Sequence, residues 1–185
     1  VDKGNVEIVK LLLTNDKINI NFTSLIEKID RQQNIRHIIE MSPLQFAIDK
    51  SQDKIIQLFL SQEFFKELKK IDMNKESIES IIGKEIEIYK KTPLYMSIEK
   101  QNINAVKLLL ARTDINVNKQ SFHILDNNQI QAKAPLHLAV EIEDLEVIKL
   151  LLKKKEIDIE IEDCQGKKPI DYSKNDEIKR LLSQF

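Results

Sequence analysis

Apolar positions along this chain alternate between two periods. Leu94, Met96 and Ile98 follow Pro93, and apolar residues then fall at 103, 105, 106, 109 and 110. The second set has the 3,4 spacing of a buried helical face. It predicts a short helix from Pro93 to about 100–102 and a second helix from about Ile103 to Ala111. Between Glu85 and Ile88 the period becomes two, Glu alternating with Ile, as in a strand with one wet face. Gly83-Lys84 supplies the turn before it. Ser121–Leu125 and Gln129–Ala132 flank the turn signal Asp126-Asn127-Asn128, and Phe22–Ile29 and Ile35–Met41 flank residues 30–34. Helix pairs separated by hairpins are therefore expected, with the three hairpins joined edge to edge, because a lone hairpin is marginal in water.

Three landmarks recur in one order. Four proline turns align: Ser42-Pro43-Leu44, Thr92-Pro93-Leu94, Ala134-Pro135-Leu136 and Lys168-Pro169-Ile170. Leu60, Leu110 and Leu152 each close an apolar triplet 17 residues after the first three prolines, and Leu11-Leu12-Leu13 is the same element in an earlier unit. After each triplet comes Ile18-Asn19-Ile20-Asn21, Ile71-Asp72-Met73-Asn74, Ile115-Asn116-Val117-Asn118 or Ile157-Asp158-Ile159-Glu160. Proline suits the first turn of a helix, and the preceding Ser or Thr can cap it. Such short helices are not stable alone, so neighbouring units must stack to make the core.

The run Ala134-Pro135-Leu136-His137-Leu138-Ala139-Val140, then residues 145–152 and Ile157-Asp158-Ile159-Glu160, resembles the ankyrin repeat. Residues 4–13 match the middle of the same unit. The resemblance implies a mainly α fold, an ankyrin-repeat solenoid (α-α superhelix) of about five repeats, the first and last incomplete. Residues 1–185 are expected to form one domain. Its repeats would lie at about 1–21 (partial), 42–74, 92–118, 134–160 and 168–185 (a C-terminal cap). An ordinary repeat has about nine residues between the loop and the next proline. Glu160 to Pro169 is nine, whereas the three earlier junctions are 17, 19 and 22. Long hairpins are therefore expected at 21–42, 74–92 and 118–134. Phe64, Phe65 and Leu68 suggest a further helical extension. The start inside a repeat suggests a fragment of a longer protein.

Composition removes several function classes. Lys plus Arg (29) nearly balance Asp plus Glu (30), so the basic excess of a nucleic-acid binder is missing. The longest apolar run, Leu108–Ala111, is far short of the roughly 20 residues a membrane span needs. Gly4, Gly83 and Gly166 lie too far apart for a phosphate-cradling loop. With one cysteine, Cys164, no internal disulfide can form, which favours a reducing compartment. Lysine outnumbers arginine 25 to 4 beside 29 isoleucines, the bias of an AT-rich genome, expected to be eukaryotic.

No catalytic constellation emerges. His37, His123 and His137 lie in separate elements with no carboxylate or cysteine at motif spacing, and a catalytic base needs a positioned partner. His137 occupies the family's turn position, where the ring bonds backbone. Zinc would need about four ligands, and the alternating acids 158–163 lack a calcium loop's glycine and twelfth-position Glu. The expectation is no enzyme, no cofactor and no metal. The resemblance implies a scaffold or adaptor that binds a partner protein through its concave groove and extended hairpins. The alternative is a regulatory or targeting module acting in cis within a larger enzyme or channel. Candidate contacts on the first hairpin are Phe22, Leu25, Arg31, Arg36 and His37. The other hairpins contribute Ile81, Ile82, Tyr89, Phe122, His123 and Leu125. Nucleic acid and membrane insertion are not expected. A monomer is, with self-association through hairpin edges as the alternative. The expected compartment is the cytoplasm, with the nucleus second.

Overall fold

A computed structural model describes residues 5–15, 19–61, 71–127 and 129–185. Among the described residues eight short helices stack beside one sheet. They are α1 (Val6–Leu13), α2 (Pro43–Asp49), α3 (Asp53–Leu60), α4 (Pro93–Glu99), α5 (Ile103–Leu110), α6 (Pro135–Glu141), α7 (Leu145–Leu152) and α8 (Asp176–Leu182). Six of them form the pairs α2–α3, α4–α5 and α6–α7. A 3-10 turn, Pro169–Tyr172, stands where the last pair would have its first helix. The prolines open α2, α4 and α6 as expected. Ser42 and Thr92 accept from the backbone N–H groups of Gln45 and Tyr95, the capping that the landmark residues predicted. Of the second helices, α1, α5 and α7 are capped by Asn5, Asn102 and Asp144, whereas Gln52 makes no side-chain cap to α3.

The core runs along the stack, between successive helix pairs. Ile48, Ile56, Ile98, Val106, Leu109, Val140, Ile148 and Leu151 are fully buried. Each pair closes through a residue in the left-handed region after the first helix: Ser51, Gln101 and Glu143, at φ 49°, 53° and 56°. No side-chain pattern signals this conformation, because glycine, the residue that favours it, is absent from all three positions.

The loops after the second helices are stapled to one another by asparagine. Asn74 accepts from Asn116 N–H at 2.7 Å and donates to the Asp114 carbonyl at 2.9 Å. Asn118 does the same one unit on, with Asp158 N–H and the Glu156 carbonyl. Lys75 and Lys119, each following a ladder asparagine, reach back to the carbonyls of Asn21 and Asn74. Lys154, just after α7, reaches back to the Leu110 carbonyl at the end of α5.

The three insertions are hairpins that join into one antiparallel sheet of order β1-β2-β3-β4-β5-β6. The strands are Ser24–Asp30, Ile35–Met41, Ser77–Ile82, Ile86–Lys91, Ser121–Leu125 and Ile130–Lys133. Phe22, expected inside the first strand, lies before it. The Asn19 side chain accepts from Asn21 N–H, and Phe22 N–H donates to the Asn19 carbonyl, closing a turn that delays β1 to Ser24. At the far edge, Ala132 N–H of β6 donates to Cys164 Sγ at 3.3 Å, so the loop carrying Cys164 caps that strand. The extension expected around Phe64, Phe65 and Leu68 lies outside the described residues.

Candidate functional site

Strand register sorts the hairpin side chains onto two faces. One face carries Ile39, Glu79, Tyr89, His123 and Gln131 on a single rung, with His37, Ile81, Glu87 and Leu125 on the rung two residues farther out. This face looks toward the first helices. Residues of α4 line cavities together with it.

Tyr89 and His123 are cross-strand partners whose rings stack. Glu87, two residues before Tyr89 and on the same face, joins them. Its Oε2 accepts from the Tyr89 hydroxyl at 2.6 Å and lies 3.0 Å from His123 Nε2, which places a ring proton on that nitrogen. Burial, reinforced by the Glu87 carboxylate, pushes Tyr89 up to about 12. Hydrogen bonds from Tyr89 and His123 hold the Glu87 carboxyl below its ordinary range, against a smaller effect of burial. His37 Nε2 lies 2.7 Å from Glu79 Oε1, an ion-pair distance without hydrogen-bond alignment.

Lysine–glutamate pairs bridge the sheet to the helices. Lys91, ending β4, pairs with Glu99, ending α4, and Lys133 pairs with Glu141 eight residues on in the same way. In the first hairpin Met41 replaces the lysine, and Asp49 recruits Lys50 and Lys100 at 2.9 Å each. Burial works to raise the Asp49 carboxyl, but hydrogen bonds and charge from Lys100 and Lys50 together hold it below its usual value. The charges of Asp49, Lys50, Glu99, Lys100 and Glu141 thus largely neutralise one another or their lysine partners.

Between these pairs lies a cavity of about 130 Å³ lined by Tyr89, Lys91, Tyr95, Glu99, His123 and Lys133. A second, of about 120 Å³, adjoins it through Lys91 and Glu99 and reaches Ile39, Asp49 and Lys100. Sites for small molecules commonly span about 300–1,000 Å³. Each cavity here has room for one side chain. Among the described residues no three His, Cys, Asp or Glu gather as a metal site would require.

Of the expected contact residues, the groove face collects His37, Ile81, Tyr89, His123 and Leu125. Leu25, Arg36, Ile82 and Phe122 fall on the opposite face. Arg31 sits in the turn between β1 and β2, and Phe22 is exposed before β1. Sequence reasoning missed Glu87, Lys91, Tyr95 and Lys133. The recurring Lys-to-Glu interval of eight residues was the signal that could have found the bridges. His137 is fully buried and bonds backbone on both sides, with Nδ1 accepting from Ala134 N–H at 3.2 Å and Nε2 facing the Lys167 carbonyl at 3.0 Å.

A family model for ankyrin repeats (3 copies) matches residues 1–121 and 64–163. The chain is an ankyrin repeat protein. No curated protein matches it. The crystal structure of EF0377, an ankyrin repeat protein, is 16% identical to this ankyrin chain, with a TM-score of 0.45 over 100% of this chain and 94% of that one. Ankyrin repeats are in general protein–protein interaction modules. No helix among the described residues of this ankyrin array is long and apolar enough to cross a membrane.

Proposed function

We propose that this ankyrin array is a scaffold that holds an extended segment of a partner protein between the groove face of the sheet and α4. The observation that carries this reading is the pair of adjoining side-chain-sized cavities beside the Tyr89–His123 stack. A strand or coil crossing them would seat alternate side chains, with Tyr89 and Tyr95 as aromatic anchors. Tyrosine suits this role because it offers a large apolar face and a polar tip at low entropic cost. The bridging lysines and acids are already paired, so the cleft is pre-organised and little side-chain ordering remains to oppose binding.

The test is selection of displayed peptides on the 185-residue chain, followed by affinity measurement on Tyr89→Ala and His123→Ala variants whose thermal melts show them folded. The expected result is peptides that lose about tenfold or more in affinity on either variant, about 1.4 kcal/mol. Peptides that bind the variants and the parent equally would move recognition away from the cleft.

A further inference from the structure

The other face of the sheet, turned away from the helices, is apolar. Its outer rungs hold Ile29, Ile82 and Ile86, and its middle rung holds Ile38, Ile88, Ile124 and Ile130. Nearest the helices it has Leu25, Ile78 and Phe122. None of these ten belongs to the helical core, and Leu25, Ile29 and Ile130 are more than half exposed. Five interstrand spacings make this face about 24 Å wide, and four residue rises add about 13 Å of height before side chains are counted. A face of that size, about 300 Å², is on the scale of the largest apolar patch of a typical monomer, and such patches often mark an interaction site.

The charges on this face indicate what covers it. Arg36 pairs with Glu27. Glu40 on β2 and Lys90 on β4 form no ion pair or hydrogen bond among the described residues. They sit on one rung, either side of Ile78 on β3. Two strand spacings, about 10 Å, keep them from meeting within the chain. A two-fold axis running along β3 exchanges them: β2 of one copy lies over β4 of the other, so each Glu40 faces a Lys90. The same operation sets Leu25 over Phe122, Ile38 over Ile88, and Ile78 and Ile82 over their own counterparts. The operation overlaps β1–β5 and leaves β6, with Ile130, outside. The Glu27–Arg36 pair falls at the rim over Ile124 and Ile86, and the exchange of Glu40 with Lys90 is the reciprocity an isologous interface requires.

We propose that two copies of this chain pack these sheet faces together as an aligned β-sandwich, the sheets about 10 Å apart. Pairing the faces buries on the order of 1,000–1,200 Å² in total, at the threshold for a specific interface, so the dimer is reversible. The helices stand on the outer side of each sheet, and both grooves stay open. The assembly is a two-headed scaffold.

Sedimentation equilibrium of the 185-residue chain across micromolar to several-hundred-micromolar concentrations tests this. The expected result is a monomer–dimer equilibrium. Ile88→Lys abolishes it, while the circular dichroism spectrum and melt show a folded chain. Glu40→Lys and Lys90→Glu, both surface changes, each raise the dissociation constant about tenfold or more, and the double exchange restores it. A mixture of the two single variants associates more tightly than either alone, because lysines then face glutamates across the interface. A chain that stays monomeric at every concentration overturns the proposal. So does a dimer unmoved by these changes, which would place self-association elsewhere, such as the outer edge of β1. Failure of the double exchange and of the mixture to rescue would overturn the two-fold along β3.

Discussion

Tyr89 and His123 face each other across β4 and β5 with ring centroids 4.1 Å apart and planes 10° from parallel. Neither residue holds this geometry alone. The rung brings the two rings together, and Glu87 locks them by bonding the hydroxyl of one and the ring nitrogen of the other. Lys91 adds a cation 5.0 Å from the Tyr89 ring centroid.

Glu87→Gln removes a negative charge that favours the neutral phenol. The Tyr89 titration should fall from about 12 toward the ordinary 10.0. Following the Tyr89 ring resonance against pH would show it. An unmoved resonance would mean that burial alone raises this phenol.

His137 and Gln45 occupy one repeat position and solve one problem with different chemistry. Gln45 accepts from Ser42 N–H at 2.8 Å and donates to the Lys75 carbonyl at 2.8 Å, as His137 serves Ala134 and Lys167. His137→Gln should therefore cost under about 1 kcal/mol, whereas His137→Ala strands two backbone groups and should cost about 2–4 kcal/mol. Urea denaturation of both variants makes the comparison.

Asn74 links adjacent loops with two backbone hydrogen bonds from one amide. Asn74→Ala should destabilise the array by about 1–2 kcal/mol, water compensating in part at this half-exposed site. Because contacts in a solenoid run between neighbours, hydrogen exchange should quicken first around residues 71–75 and 114–118. Uniform quickening along the whole chain would contradict that local account.

Ser51, Gln101 and Glu143 each hold a left-handed backbone that glycine adopts at no cost. Glu143→Gly, at an exposed position, should raise stability by about 0.5–1 kcal/mol, the relief exceeding the entropy glycine adds to the unfolded chain. A lower melting temperature would show that other contacts of Glu143 outweigh the strain.

Asp49 has a depressed pKa in the fold, so the stability it contributes is present above its ordinary value of 3.8 and lost as pH falls through the depressed one. Asp49→Asn should cost about 0.5–1 kcal/mol at neutral pH and make the decline of stability below pH 4 shallower. Melts at pH 7 and at pH 3 separate the two effects.

The sequence by itself determined the helix pairs, their order and the hairpins between them. These features are local and repeated: a proline with a capping hydroxyl, an apolar triplet, and an alternation of two. The resemblance carried by His137 and its neighbours supplied the family, and the long junctions supplied the hairpins. Only the tertiary structure decided which side chains meet. A strand shifted by one residue turns every side chain to the opposite face, so Tyr89 and Ile82 could not be assigned to faces before the register was known. Pairing of six strands from three separate insertions set that register. It divided the expected contact residues between a polar cleft and an apolar back, and it put Glu40 and Lys90 symmetrically about β3. The left-handed turns at Ser51, Gln101 and Glu143 were equally hidden, because stacking of neighbouring pairs imposes a backbone shape that those residues do not choose on their own.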